Sequence, residues 1–129
     1  MAISGSYTTI PGLLAGANLA SSQYKVVKFA STAGEVVAAT SQTSAIAGVL
    51  MNEPADGDIA EVACAGVAKV LMTASVTKGY VVGINSSGYA TNLGGTSGLA
   101  VLGIAVEGSG TSGNIKTVII SLGEGGGTD

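Results

Sequence analysis

The sequence predicts an all-β protein, a single small β-barrel or sandwich, and three observations carry that prediction. Short runs rich in β-branched residues recur about every eight to twelve residues, the spacing of strands in compact sheet proteins. Gly, Ser, Asn and Asp stand between the runs and supply turn chemistry. No segment carries an apolar stripe at helical spacing long enough to bury a helix. At 129 residues the chain fits one domain.

In chain order, the predicted strands begin with YKVVKFA at 24–30, EVVAAT at 35–40, IAGVLM at 46–51 and IAEVACA at 59–65. They continue with VAKVLMT at 67–73, YVVGI at 80–84, a short YAT at 89–91, LAVLGIAVE at 99–107 and IKTVIISL at 115–122. Val, Ile and Thr favour this pleated, half-buried setting because their branched Cβ restricts χ1. Two linkers read as tight turns: EPADGD at 53–58 pairs Pro with Asp-Gly, and NSSG at 85–88 joins two short strands.

A weak internal repeat lies within this pattern. AGVLMNEPADGDIAEV at 47–62 resembles LGIAVEGSGTSGNIKTV at 102–118. Gly48 aligns with Gly103, and Gly57 and Val62 with Gly113 and Val118 after a one-residue insertion. Each copy reads strand, Gly-containing turn, strand, so two similar hairpins are expected. Two copies are too few for a solenoid.

The ends differ from this body, which gives a three-part division. Residues 1–22 scatter Ile3, Tyr7, Ile10, Leu13 and Leu14 among Ser, Thr and Gly without a period, as an extended N-terminal arm lying on a partner would. Within it PGLLAGANLASSQ at 11–23 has room for one helical turn at most. Residues 23–122 form the predicted β-domain. The segment GEGGGTD at 123–129 reads as a flexible Gly-rich tail.

Composition excludes several function classes. There is no His and only one Cys, so Ser-His-Asp catalysis, His metal ligation and an internal disulfide are all unavailable. The charge balance, five Lys and no Arg against eight acids, lacks the clustered cations that grip phosphates, and no nucleic-acid partner is expected. Mean hydropathy is +0.54, yet the longest apolar stretch, LAVLGIAV at 99–106, falls well short of the ~18 residues a membrane helix needs. The opening MAISGSYTTIPGLLAG has no basic start or long apolar core, so export by a signal peptide is not expected. Charged residues make up only 10%, where about 25% is usual, and so sparse a charge promotes association.

Four local motifs read more simply as structure. GSGTSG at 108–113 matches a dinucleotide-loop pattern but precedes a β-branched strand where a helix is required. Ser75-Val-Thr-Lys78 matches S-x-x-K without the companion elements of acyl enzymes. Glu53, Asp56 and Asp58 lack the spacing of a calcium loop and fit a solvated turn. Asn85-Ser86-Ser87 is a glycosylation sequon that matters only on export. No catalytic, cofactor-binding or metal-binding residue is assigned, and neither an enzymatic role nor a small-molecule substrate is expected.

The order of the segments resembles a family of tailed-phage capsid decoration, or cement, proteins, whose members often carry an uncharacterised-domain or recombinase label. IAGVLMNEPADGDIAEVACAGVAKV at 46–70, ASVTKGYVVGINSSGYAT at 74–91 and LGIAVEGSGTSGNIKTVII at 102–120 carry the likeness. Each is mostly turn glycines and core valines, and the order and spacing of the three are what resemble the family. Tyr80 departs from it, standing where the family usually has an acid after the turn glycine. Nothing in the residues supports the recombinase label. The resemblance implies a compact β-domain that binds the major capsid protein on the outer surface of the expanded phage head, commonly as a homotrimer at local three-fold positions. It would place Ile3, Tyr7, Ile10, Leu13 and Leu14 at the capsid or a neighbouring subunit. Another structural subunit of a phage or surface assembly, such as a tail or head-fibre piece, remains open, as does a small binding module or a hydrolase using Glu53 or Glu107.

Overall fold

The computed structural model describes residues 6–41, 45–93 and 99–125. Ten strands follow in chain order: β1 (Ser6–Thr9), β2 (Leu14–Ala15), β3 (Val26–Phe29), β4 (Glu35–Ala38), β5 (Ile46–Leu50), β6 (Val62–Met72), β7 (Val81–Ile84), β8 (Ala90–Asn92), β9 (Leu99–Ala105) and β10 (Asn114–Gly125). The described residues contain no helix, and the all-β expectation holds.

Five of the strands close on themselves. The order β10–β9–β7–β8–β6 returns from β6 to β10, making a closed five-stranded barrel without a free edge inside the ring. The β6–β10 seam is a long antiparallel ladder from Met72 opposite Asn114 to Gly66 opposite Ile120. The other closure is short. Met72 pairs in parallel with Ala90, backed by Thr73 N–H to the Ala90 carbonyl at 3.0 Å and a Thr73–Thr91 hydroxyl contact at 3.1 Å. From the start of β6 a second sheet, β5–β3–β4–β2, runs off the barrel.

This branching creates two cores. Val70, Met72, Val82, Ile84, Leu102 and Val118 fill the barrel, while Leu13, Leu19, Val27, Val36, Leu50 and Val62 pack beneath the second sheet. β3, β5 and the start of β6 lie between them and feed both. Successive residues Val26 and Val27, Val49 and Leu50, and Ala63 and Val62 turn to opposite cores, and all are buried. Strands buried on both faces read as unbroken apolar runs instead of alternating ones, which is why KVVKF and AGVLM look continuous.

Three boundaries differ from the sequence expectation. The runs at 59–65 and 67–73, separated on Gly66, are one strand in the structure. Without a side chain, Gly66 lets the Ser6–Tyr7 backbone lie directly against it. The described part of the N-terminal segment is no detached arm. β1 pairs antiparallel with β6, β2 pairs in parallel with β4, and Leu13, Ala15 and Leu19 are buried in the second core. Its apolar residues show no period because the chain crosses that core with irregular backbone, held by bonds such as Ala60 N–H to the Leu13 carbonyl at 2.9 Å. The tail also starts later than expected, because Gly123, Glu124 and Gly125 continue β10 opposite Val101, Ala100 and Leu99. Residues 126–129 lie outside the described residues.

The internal repeat is a repeat of hairpin geometry. Val49 faces Ala63 and Leu50 faces Val62 in the first hairpin; Ile104 faces Ile119 and Ala105 faces Val118 in the second. Met51 N–H donates to the Glu61 carbonyl at 2.7 Å, and Val106 N–H donates to the Thr117 carbonyl at 3.0 Å. Each hairpin mouth is then closed by a side-chain oxygen. Asn52 Oδ1 accepts from Glu61 N–H at 3.0 Å, and Glu107 Oε1 accepts from Thr117 N–H at 2.9 Å. The aligned glycines share one constraint: a Cβ on Gly48 would strike the Ala63 carbonyl oxygen, and one on Gly103 the Ile119 carbonyl oxygen.

Gly48→Ala and Gly103→Ala are therefore expected to cost about 3 kcal/mol or more each, because rigid backbone must move, whereas Gly110→Ala meets no atom within 4 Å. Chemical denaturation of the three variants checks the contrast. The hydrogen bonds from Thr117, helped by nearby Lys116 and Lys69, hold the Glu107 carboxyl below its ordinary 4.5. A depressed acid stabilises the fold above that ordinary value and loses the contribution as pH falls through the folded one. Glu107→Gln should flatten this acid-side dependence in melts from pH 6 to pH 2, while Asn52→Ala costs about 1 kcal/mol with no pH signature of its own.

Candidate interaction surface

The four local motifs noted in the sequence lie in turns and loops. Asn92 holds the Ser75–Lys78 loop, donating from Nδ2 to the Ser75 carbonyl at 2.8 Å and accepting from Thr77 N–H at 3.1 Å. Gly108–Gly113 connects β9 to β10, with Ser109 paired to Val76 and its hydroxyl donating to the Thr111 carbonyl at 2.9 Å. Asp58 caps its own turn by accepting from Ala55 N–H at 3.2 Å. Asn85 Oδ1 accepts from the N–H groups of Ser87 and Tyr89, an Asx turn inside the sequon. Among the described residues no three His, Cys, Asp or Glu side chains come together as metal ligands, and no helix is long and apolar enough to cross a membrane.

The five residues expected at a partner surface part company. Ile3 lies outside the described residues. Leu13, at 6% exposure, faces the second core and has no surface to offer, which corrects that expectation. Ile10 packs partly against the same core, and Tyr7 partly against the barrel core. The Tyr7 hydroxyl donates to Glu61 Oε2 at 2.8 Å, tying β1 to the first hairpin. Of the four that are described, Leu14 alone presents a substantially exposed large apolar side chain. Its backbone bridges to Ile59, and its register partner in β4 is Glu35.

The larger apolar surface lies on residues that the sequence reading assigned to strands without separating inside from outside. Val81 of β7 faces Ile104 of β9, and Ile104 faces Ile119 of β10, so the three form a row across the outer wall of the barrel. Each is between 41% and 44% exposed. Val67 of β6, half-buried, extends the row opposite Ile119. Tyr80 adjoins it, and Ile59, at 70%, is the most exposed large apolar side chain among the described residues. Alternation within β9 and β10 was the available signal, but the outward positions are as β-branched as the inward ones.

Residues 1–61 carry five acids against two lysines, and residues 62–129 balance three lysines against three acids. Glu53, Asp56, Asp58 and Glu61 all sit around the first hairpin turn, whereas Lys69 stands on the outer wall, two residues along β6 from Val67.

These features define a class: a closed five-stranded β-barrel with an appended sheet and two like hairpins, presenting apolar wall and few charges. No protein-family model matches the chain, and no curated protein matches it by sequence. Among solved structures it is similar to the N base of head fiber gp8.5 of bacteriophage phi29. The TM-score is 0.63 at 19% identity, over 91% of this chain and 94% of that chain. At that identity the likeness shows a shared fold.

The bond to the Glu61 carboxylate, with partial burial, raises the Tyr7 phenol above its ordinary 10.0. A raised pKa stabilises the fold below the ordinary value, and the contribution is lost as pH rises through the folded one. In an alkaline spectrophotometric titration Glu61→Gln should bring the Tyr7 ionisation to lower pH, and Tyr7→Phe should remove it from the curve.

Proposed function

We propose that this chain is a non-catalytic structural protein of a phage virion, carried on the head. The observation that supports the reading is the shared fold with a phage head-fibre base over nearly the full length of both chains. The finer reading is a decoration protein that binds the major capsid protein on the outer surface of the expanded head, as a homotrimer, and stabilises the shell. Three low-affinity contacts made by one trimer would add to strong avidity. A ligand that binds only the expanded lattice displaces the equilibrium away from disassembly. The sparse charge and exposed apolar wall suit a protein covered by neighbours. The same comparison favours a second reading, in which the domain is the base of a head fibre.

The test is co-sedimentation with expanded heads lacking this protein, beside unexpanded proheads. Saturable binding to expanded heads alone, with a raised shell melting temperature, is the expected result for decoration. Saturation at a small subset of equivalent lattice positions would select the fibre base. Absence of binding to either particle by folded protein would overturn both.

A further inference from the structure

We infer that the chain is a tandem pair of like five-stranded barrels, and that a second copy fills the barrel-to-barrel junction that each chain leaves open. This deepens the self-association within the function proposed above and rests on that reading for the presence of further copies.

The duplication extends beyond the two hairpins. The edge of β2 is bonded to residues 57–60, which lead into β6. Leu14 bridges Ile59, Ala15 N–H donates to the Asp58 carbonyl at 2.8 Å, and Gly57 N–H donates to the Ala15 carbonyl at 2.9 Å. The second sheet is therefore also a ring, β2–β4–β3–β5–β6, and the barrel repeats its order as β6–β8–β7–β9–β10. Each link keeps its sense: β2–β4 and β6–β8 are parallel, the others antiparallel. Registers agree, for Val27 faces Gly48 and Ala38 as Val82 faces Gly103 and Asn92. Turn bonds agree too: Gly57 N–H to the Ala15 carbonyl is matched by Gly113 N–H to the Met72 carbonyl at 2.8 Å. Tyr24, at φ 70, stands where the second unit has Gly79, at φ 86, and their N–H groups donate to the matching carbonyls of Leu50 and Ala105.

The two units differ in what covers one face. Val26, Val49 and Ala63 form a cross-strand row in the first unit, matching Val81, Ile104 and Ile119 in the second. The first row is fully buried in one core cluster with Ile84 of the second barrel, and Val26 N–H donates to the Gly88 carbonyl of the β7–β8 turn at 2.9 Å. Within the molecule, then, such a row is covered by the end of a like barrel. The second row is exposed, and the end that would cover it is open on the first unit. Phe29 holds the place of Ile84 yet is 50% exposed against 1%. Gly34, in the β3–β4 turn, holds the place of Gly88. A Cβ on Gly88 would meet the Val26 and Ala39 carbonyl oxygens, whereas one on Gly34 meets no atom within 4 Å. Each chain thus has one filled junction and the two unmatched halves of another. The Phe29 turn of one protomer seats on the Val81–Ile104–Ile119 row of the next, a heterologous contact held by apolar burial.

Sedimentation velocity of the full chain over a concentration series, without heads, tests this. Wild type is expected to self-associate. Phe29→Asp on one half and Ile104→Asp on the other should each weaken association about tenfold or more. Ile59→Asp is the control. Ile59 is more exposed than either, at 70%, but its counterpart Ile115 is exposed as well, so the pair lies outside the junction and association should not change. An unchanged melting temperature shows that each fold is kept, and Phe29→Ser and Val81→Lys replace any variant that fails this check. Mixing Phe29→Asp with Ile104→Asp protein should restore a 1:1 dimer, since one retains the wall and the other the turn. A monomeric wild type, a loss at Ile59→Asp equal to that at Ile104→Asp, or a mixture that stays monomeric would each overturn the inference. Association through these residues without head binding would count against the function reading alone, whereas a monomer that binds expanded heads would overturn the inference alone.

Discussion

The eleven residues of β6 are the constraint on which the rest of the structure depends. Within Val62–Met72 the strand pairs with β1, β5, β8 and β10, so it closes the barrel at one end and launches the second sheet at the other. No other strand has partners in both layers of this arrangement on such a scale. Its side chains follow the division: Val70 and Met72 fill the barrel, whereas Val62 belongs to the second core. The price of one strand serving both layers is local backbone crowding, met at Gly66 by the lack of a side chain.

The hairpin repeat shows how such crowding is reused. Both hairpins bring a carbonyl oxygen onto the Cα of the facing strand, and both put Gly there. Both also close the mouth with a side-chain acceptor, but one uses the amide of Asn52 and the other the carboxylate of Glu107. The geometry needs an acceptor at that position, and either chemistry supplies it. The first hairpin borders the second sheet and the second completes the barrel, so near-identical units serve different layers. Tyr24 joins those layers, at φ 70, with its N–H donated to Leu50 and its carbonyl accepting from Leu71 of β6. A left-handed non-Gly residue costs roughly 1–2 kcal/mol, which these two bonds help to offset.

The outside of the molecule follows from the same composition. With 10% charged residues in the whole chain, the outer wall of the barrel carries Val81, Ile104 and Ile119 along with Lys69. Aliphatic residues there contribute little to monomer stability, since burial, not β-propensity alone, provides most of the gain. Such a surface fits a protein whose neighbours complete it.

Much of this was legible in the residues. Nearly every strand from 24 onward coincides with a β-branched run between turn residues, because that pattern follows from local sterics and turn conformations. The paired hairpins were visible because Gly48 and Gly103 answer the same steric demand. The N-terminal segment was not legible: Leu13 and Leu14 are adjacent and chemically identical, yet one enters the second core and the other reaches solvent. Likewise Ile119 and Ile120 fall on opposite sides of the barrel wall. The sequence alone determined the all-β class, the strand positions, the repeat and the lack of groups for His-based or disulfide chemistry. Barrel closure, the merging of two runs into β6 and the inside-outside assignment were decided by tertiary structure. They depend on contacts between residues far apart in the chain, and neighbouring aliphatic side chains do not themselves record which face will be covered.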